Sequence, residues 1–386
     1  MSDPSNSLPL KDAASTVSWW KTVLSDAEAD AAKLAVSSGR LSQGALTSEL
    51  ETRLAESLGV KYVTMTTSGS VALTSSLLVA GIGPGDAIII SNRTFIASAH
   101  AALLLGAKVQ VIDTLPGTPL IDPNQIENTI SPRTKAIMPT HMNGRACDMP
   151  LINAIAERHG LVVIEDAAQA LFSKSPHGYL GTLGDIGCFS LGVTKFMTSG
   201  QGGFITTNNP NYHEGLQRMR FHGVSSPRAE AYQHFGFNFR YTDIQAAIAL
   251  IQMDRLDAKL KAHRELYIRY MNAISNYASL KMVDVNLHSG ELPLWIEVAC
   301  EERQLLRDML NEHNIETSVA MSNLSESNHL EQSGVFPNAE YFDRTMLTLP
   351  SGPDQPNEAI EKTLNVLSAF EARYRNNHSS ISEGEA

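Results

Sequence analysis

The side chain with the most chemical promise is Lys195, in the run Phe189-Ser190-Leu191-Gly192-Val193-Thr194-Lys195 and just ahead of Gly200, Gly202 and Gly203. A deprotonated lysine amine forms imines with carbonyl compounds. On its own a loop lysine reads as a solvated surface residue. Here a strand-end serine precedes it and a glycine cluster that permits tight turns follows it. Asp166 closes the very apolar run Leu161-Val162-Val163-Ile164. A carboxylate in such a place stays ionised only if it meets a cation or several donors. A protonated pyridine nitrogen is one such cation, and the pair turns a ring into an electron sink. A loop-capping aspartate is the competing reading.

Three weaker features lie beyond other strand ends, where open α/β sheets bind ligands. Ser68-Gly69-Ser70 opens the helical run Val71–Ala80. Small residues there leave N–H groups approachable by an anion, although Ser68 also suits an ordinary N-cap. Phe95, in Asn92-Arg93-Thr94-Phe95, is an aromatic that stacks on a flat ring or else fills the core. Asn238, in Gly236-Phe237-Asn238-Phe239-Arg240, donates to a phosphate or serves a turn.

The elements that must position these residues follow from short apolar runs alternating with helical patterns between about residues 60 and 207. Strands are expected at Ala87–Ser91, Lys108–Asp113, Lys135–Met142, Leu161–Asp166, Ile186–Leu191 and Gly203–Thr207, rich in Val and Ile and bounded by Gly, Pro or Asp. A helix is expected over Asp148–His159, with Asp148 as cap, Pro150 in the first turn and Gly160 as the stop. The alternation predicts an α/β fold with a mostly parallel sheet covered by helices. Past Thr242 the pattern changes to a long helical run, Asp243 to about Tyr277. A strand candidate Leu292–Val298 follows, then helices near Glu302–His313 and Asn357–Tyr374. The expected division is a large domain over 1–250 with an N-terminal helical segment, a smaller α+β domain over 251–375, and a disordered polar tail over 376–386.

Bulk composition narrows the function classes. With 43% hydrophobic and 18% charged residues, the 386-residue chain can bury a core without disulfides or a structural metal. A net charge of −11 argues against nucleic-acid binding, which needs a basic face. Cys147, Cys188 and Cys300 form no CxxC pair, so neither a disulfide framework nor a metal site is expected. No secretion signal and no apolar run of the ~18 residues needed to span a membrane is evident, and the expected location is the cytoplasm.

In order and spacing, the sequence resembles the DegT/DnrJ/StrS-type sugar aminotransferases, a branch of the fold-type-I pyridoxal-phosphate enzymes. The resemblance runs from about Ser37 to Phe370. It rests on LSQGALTSELETRLAESLGV (Leu41–Val60), GIGPGDAIII (Gly81–Ile90), IEDAAQA (Ile164–Ala170), FSLGVTK (Phe189–Lys195), RFHG (Arg220–Gly223) and GFNFRYTDIQAAI (Gly236–Ile248). It implies that Lys195 holds pyridoxal 5'-phosphate as a Schiff base and shuttles protons, with pyridoxamine 5'-phosphate formed between half-reactions. It implies further that Asp166 binds the pyridine nitrogen, Gln169 lies near the phenolic oxygen, and Phe95 stacks on the ring. Ser68, Gly69, Ser70 and Ser190 would hold the phosphate. Asn238 would reach it from the neighbouring subunit of a homodimer.

The implied reaction moves an amino group from an amino acid, glutamate or glutamine, to a keto group. Related sugar dehydratases carry histidine at the lysine position, so Lys195 favours transamination. The sequence departs from the family on the substrate side. Gly192-Val193 replaces a histidine-proline, Met142 an aromatic after His141, and Gln201 a glutamate. Glu316–Leu324 (ETSVAMSNL) lacks the usual histidines and prolines. A nucleotide-linked keto-sugar is the expected acceptor, with a cyclitol or other natural-product ketone as the alternative. A pyridoxal-phosphate lyase shares the same residues. A non-enzymatic regulator is the remaining rival, but no basic helix-turn-helix segment is present. A nicotinamide dehydrogenase is disfavoured because Gly81-Ile82-Gly83-Pro84-Gly85 ends a helix and precedes a strand.

Overall fold

In the computed structural model, residues 16–382 are described apart from 225–230, 233, 320 and 331–333. Helix α1 (Asp26–Ser37) starts at a capping box between Ser25 and Glu28, and α2 (Ala45–Leu58) ends on Gly59, whose φ of 68° turns the chain into β1 (Tyr62–Thr66). Next come α3 (Gly69–Val79), β2 (Ala87–Ser91), α4 (Ile96–Leu104), β3 (Lys108–Ile112), the single turn α5 (Ile126–Thr129) and β4 (Thr134–Met138). Helix α6 (Met149–His159) leads to β5 (Val162–Asp166). A small hairpin of β6 (Lys174–Ser175) and β7 (Gly178–Tyr179) precedes β8 (Ile186–Ser190) and β9 (Gly203–Thr207). The glycine run 81–85 lies between α3 and β2, the wrong place for a dinucleotide turn.

Seven strands form one sheet in the order β1-β9-β8-β5-β4-β2-β3. All neighbours are parallel except β9, which runs against both β8 and β1. Both faces are buried, as a parallel sheet requires. Ile88 and Ile90 pack with Leu73 and Leu77 of α3, while Ile89 between them packs on the other side with Ile152 and Ile155 of α6. Strand β1 was not among the expected strands, because Thr64 and Thr66 interrupt its apolar pattern; both are 1% exposed in the structure. Strand β4 stops at Met138 rather than Met142, since Pro139 has no N–H to continue a ladder.

After α7 (Pro210–Met219), the expected single helical run from Asp243 is two helices, α8 (Asp243–Asp254) and α9 (Leu256–Ile274). Arg255 leaves helical geometry between them, at φ −102° and ψ 1°, and its guanidinium hydrogen-bonds Ser25 Oγ and Glu28 Oε1 of the N-terminal capping box, each at 3.2 Å. A second, antiparallel sheet joins β10 (Lys281–Met282), β11 (Ile296–Ala299) and β12 (Met346–Leu349). Around it lie α9, α10 (Arg303–Glu312), α11 (Pro337–Thr345) and α12 (Asn357–Ser382). Helix α12 runs through residues 376–382, which were expected to be a disordered tail. No Gly or Pro interrupts it, so once packed it propagates through polar residues. The expected N-terminal and C-terminal extremes, 1–15 and 383–386, lie outside the described residues.

Candidate active site

The carboxyl ends of β1, β2, β5 and β8 lie on one edge of the large sheet, and a cavity of about 440 Å³ opens there. Ser68, Gly69, Ser70, Phe95, Asp166, Gln169, Ser190 and Lys195 all line it. Residues scattered over about 130 positions of sequence thus converge because each follows a strand ending at this edge.

One end of the cavity is built for an anion. Ser68 caps α3, its side chain accepting from Val71 N at 3.2 Å. The first N–H groups of the helix have no partner within it and carry the positive end of its dipole. Close packing holds this turn against the strands. A Cβ on Gly69 would stand 3.0 Å from Ser190 Cβ, and one on Gly203 would stand 2.7 Å from Gly69 N. The hydroxyls of Ser70 and Ser190 add donors beside the backbone.

Asp166 ends β5 deep in the cavity floor. Its Oδ2 accepts from Ser98 Oγ at 2.6 Å and its Oδ1 from Ala168 N at 3.1 Å. Burial raises its pKa, while Ser98, Ala168 and the charge of Lys195 oppose the rise. A carboxylate has about four acceptor sites, so both oxygens can still take a charged N–H from a ligand. Ser98 was not expected at the site. It stands on α4 one turn beyond Phe95, which caps that helix, and a lone serine inside an alanine-rich helix carries no signal of its role.

Lys195 lies in the turn after β8, with its backbone N donating to Gly192 O at 3.1 Å. Burial lowers its pKa to about 8, against the opposing pull of Asp166. A fraction of the amine is therefore free near neutral pH, as an imine-forming lysine requires. Its Nζ stands 5.3 Å from the centroid of Trp295. Phe95 is 54% exposed, which rules out the core reading and leaves its ring as a cavity wall. Gln169 Oε1 accepts from Asn143 N at 2.7 Å, so the orientation of its amide is fixed.

Asn238 is exposed and does not line the cavity; its Oδ1 accepts from Arg240 Nε at 2.9 Å. Within one chain the fold does not bring it to the site. Trp19, Trp295 and Met321 also line the cavity; sequence reasoning singled out neither tryptophan and reached Met321 only within the substrate-side segment Glu316–Leu324. Trp295 sits in an apolar run that reads as an ordinary strand, and Trp19 lies ahead of every recognised element. Among the described residues no group of three or more His, Cys, Asp or Glu is placed to hold a metal ion.

These features fit a flat, phosphorylated heteroaromatic aldehyde. The helix start and serines suit its phosphate, Asp166 its protonated ring nitrogen, Phe95 its ring face and Lys195 its carbonyl carbon.

Residues 23–368 match the model of the DegT/DnrJ/EryC1/StrS aminotransferase family. The chain is 41% identical over 218 residues to a GDP-perosamine synthase of Caulobacter vibrioides, a match spanning 56% of this chain and 59% of that protein. It is 32% identical to a GDP-perosamine synthase of Escherichia coli O157:H7, over 83% of this chain and 88% of that protein. The crystal structure of S. venezuelae DesV in complex with a ketimine intermediate superposes with a TM-score of 0.84 at 28% identity, covering 89% of this chain and 94% of that one. The sequence match, the shared fold and the convergent lysine, aspartate and helix-start cradle agree: this chain belongs to the DegT/DnrJ/EryC1/StrS aminotransferase family.

Proposed function

We propose that this protein binds pyridoxal phosphate through Lys195 and transfers an amino group from glutamate or glutamine to a nucleotide-linked keto-sugar. The observation that carries the cofactor assignment is one cavity in which an amine of lowered pKa, a buried carboxylate and a helix-start cradle face one another. Relatives named GDP-perosamine synthase support the sugar nucleotide as acceptor.

Each residue then has a task. Ser70, Ser190 and the N–H groups of Gly69 and Ser70 bind the phosphate, with Ser68 setting the turn. Asp166, held by Ser98 and Ala168, keeps the pyridine nitrogen protonated. Gln169 would meet the phenolic oxygen and Phe95 would cover the ring, since both line the cavity. When bound, the cofactor supplies an electron sink for charge developing at the amino acid's α-carbon. Lys195 Nζ would hold the cofactor at its carbonyl carbon, and the same amine, when free, would take and return the α-proton. Asn238 completes the phosphate site from the partner of a homodimer, since in its own chain it points elsewhere.

The test is visible absorption of the purified protein with added pyridoxal phosphate, beside Lys195→Ala, before and after L-glutamate. The wild type should show a yellow lysine-bound band that glutamate bleaches, and the variant should lack it. A band that survives loss of Lys195 unchanged, or no binding by the wild type, sinks the proposal.

A further inference from the structure

The family match begins at residue 23, yet the strap just before it closes one side of the active-site cavity. The strap is fixed on both flanks of Trp19. Val17 bridges to Ile315, and Trp20 to Ser351. Ser351 N donates to Trp19 O at 2.7 Å, and Lys21 N to Ser351 O at 3.0 Å. Trp20 is buried, its ring 6.4 Å from that of Phe196 and 6.3 Å from that of His263, and its Nε1 donates to Val193 O at 3.1 Å. The anchor is therefore tied to the turn that carries Lys195.

This anchoring leaves the neighbouring Trp19 half-buried in the cavity wall, its ring centroid 6.4 Å from that of Trp295 and tilted by 60°. Trp295 in turn lies under Lys195 Nζ. Two indoles thus border the space next to the reacting amine. Lys195 is the sole cation among the described lining residues, so this wall offers no counter-charge to the carboxylates of an amino-acid donor. It suits a ring with a C–H face, because the electron-rich face of an indole attracts the weakly positive hydrogens of such a surface. A pyranose has that face, and its oxygens could be met by Ser318, Thr348 and Gln201 of the same cavity.

We propose that Trp19 is a specificity-determining residue that, with Trp295, packs on the C–H face of the acceptor's sugar ring. The inference rests on the aminotransferase reading above and adds to it a residue outside the matched family region. Trp20 already serves the structural role of anchoring the strap, so the half-buried Trp19 is left for recognition.

The test uses the full-length enzyme loaded with pyridoxal phosphate and compares wild type, Trp19→Leu and Trp19→Phe. Leucine keeps apolar bulk without a ring face, and phenylalanine restores the ring. Dissociation constants are measured for GDP-perosamine, a TDP-linked 4-amino sugar and free GDP, and the glutamate half-reaction is followed by bleaching of the cofactor band. Trp19→Leu should weaken the better-bound amino-sugar nucleotide roughly ten-fold. Trp19→Phe should recover most of that loss, GDP binding should stay at wild-type levels, and bleaching by glutamate should fall by less than sugar-nucleotide affinity. Unchanged sugar-nucleotide affinity in Trp19→Leu, or an equal loss for GDP or for bleaching, overturns the inference. So does a wild type that bleaches with glutamate yet binds neither amino sugar, while the aminotransferase reading stands. A wild type with no cofactor band removes that reading and the inference together.

Discussion

The side-chain amide of Asn143 clamps the backbone of Trp295 from both sides: its Oδ1 accepts from Trp295 N at 2.6 Å and its Nδ2 donates to Trp295 O at 3.0 Å. The same residue's backbone N holds Gln169, and its Nδ2 also reaches Glu297 Oε2 at 2.7 Å. One loop residue after β4 thereby fixes a cavity-lining glutamine on the large sheet and an indole wall on the segment entering β11. Its φ of 52° is a left-handed conformation that Asn tolerates better than most residues.

Replacing Asn143 by Ala should therefore cost more than one hydrogen bond. Trp295 N and O would be left buried and unpaired, at about 1–3 kcal/mol for each such group. The melting temperature should fall by several degrees, and the fluorescence of the three tryptophans should shift as the wall loosens. A melt and emission spectrum that match the wild type would show that the clamp is dispensable.

A buried ion pair reinforces the same junction. Arg145 Nη1 meets Glu297 Oε2 at 2.7 Å with both side chains almost fully buried. The arginine also donates to Asp284 O and Val283 O. Removing one partner leaves an uncompensated buried charge, so Arg145→Met should destabilise by about 3–5 kcal/mol. Arg145→Met combined with Glu297→Leu should recover much of that loss, because the orphaned charge disappears with it. Denaturant melts of both singles and the double give the coupling, and strictly additive losses would contradict this account.

The pH dependence of cofactor uptake follows from Lys195. On the proposed function the deprotonated amine is the reacting form, and burial lowers its pKa from the ordinary 10.5 to about 8. The rate of pyridoxal phosphate capture by apoenzyme should rise with pH through a midpoint near 8 and level off about one to two units above it, with about a tenth of the amine already free at pH 7. Asp166 opposes this shift, so Asp166→Asn should move the midpoint to lower pH while cutting turnover by about 100-fold or more. Stopped-flow absorbance across pH 6–10 reads both effects. A midpoint near 10 in the wild type would mean the amine is more solvated than its surroundings indicate.

The parts of this molecule that were legible in the sequence are those governed by local rules. The strands at Ala87–Ser91 and Gly203–Thr207 came from uninterrupted β-rich runs, and α6 from its Asp148 cap and Gly160 stop. Lys195, Asp166 and Ser68 to Ser70 are legible as candidates because open α/β sheets bind ligands beyond their strand ends, and all of them line one cavity. Strand β1 escaped notice because two of its five residues are buried threonines. Trp19, Trp295 and Ser98 escaped because their roles depend on which surfaces meet across the fold. The tilt between two indoles separated by most of the chain has no periodicity to announce it.

The tightness of the proposed phosphate cradle gives a last prediction. A Cβ on Gly203 would stand 2.6 Å from both Phe189 O and Ser68 C, and 2.7 Å from Gly69 N. These are backbone atoms that cannot swing aside, so Gly203→Ala must push the start of α3 away from the end of β8. Overpacking of this kind costs about 1–3 kcal/mol. The distortion falls on the N–H groups proposed to bind the phosphate, so affinity for pyridoxal phosphate should drop by about ten-fold. Binding of pyridoxal, which lacks the phosphate, should change much less. Gly83→Ala is the matched control, since its Cβ would meet nothing within 4 Å. Equal losses for pyridoxal and its phosphate in Gly203→Ala would show that the glycine serves the sheet alone. A loss confined to the phosphorylated cofactor would locate the anion site at the start of α3.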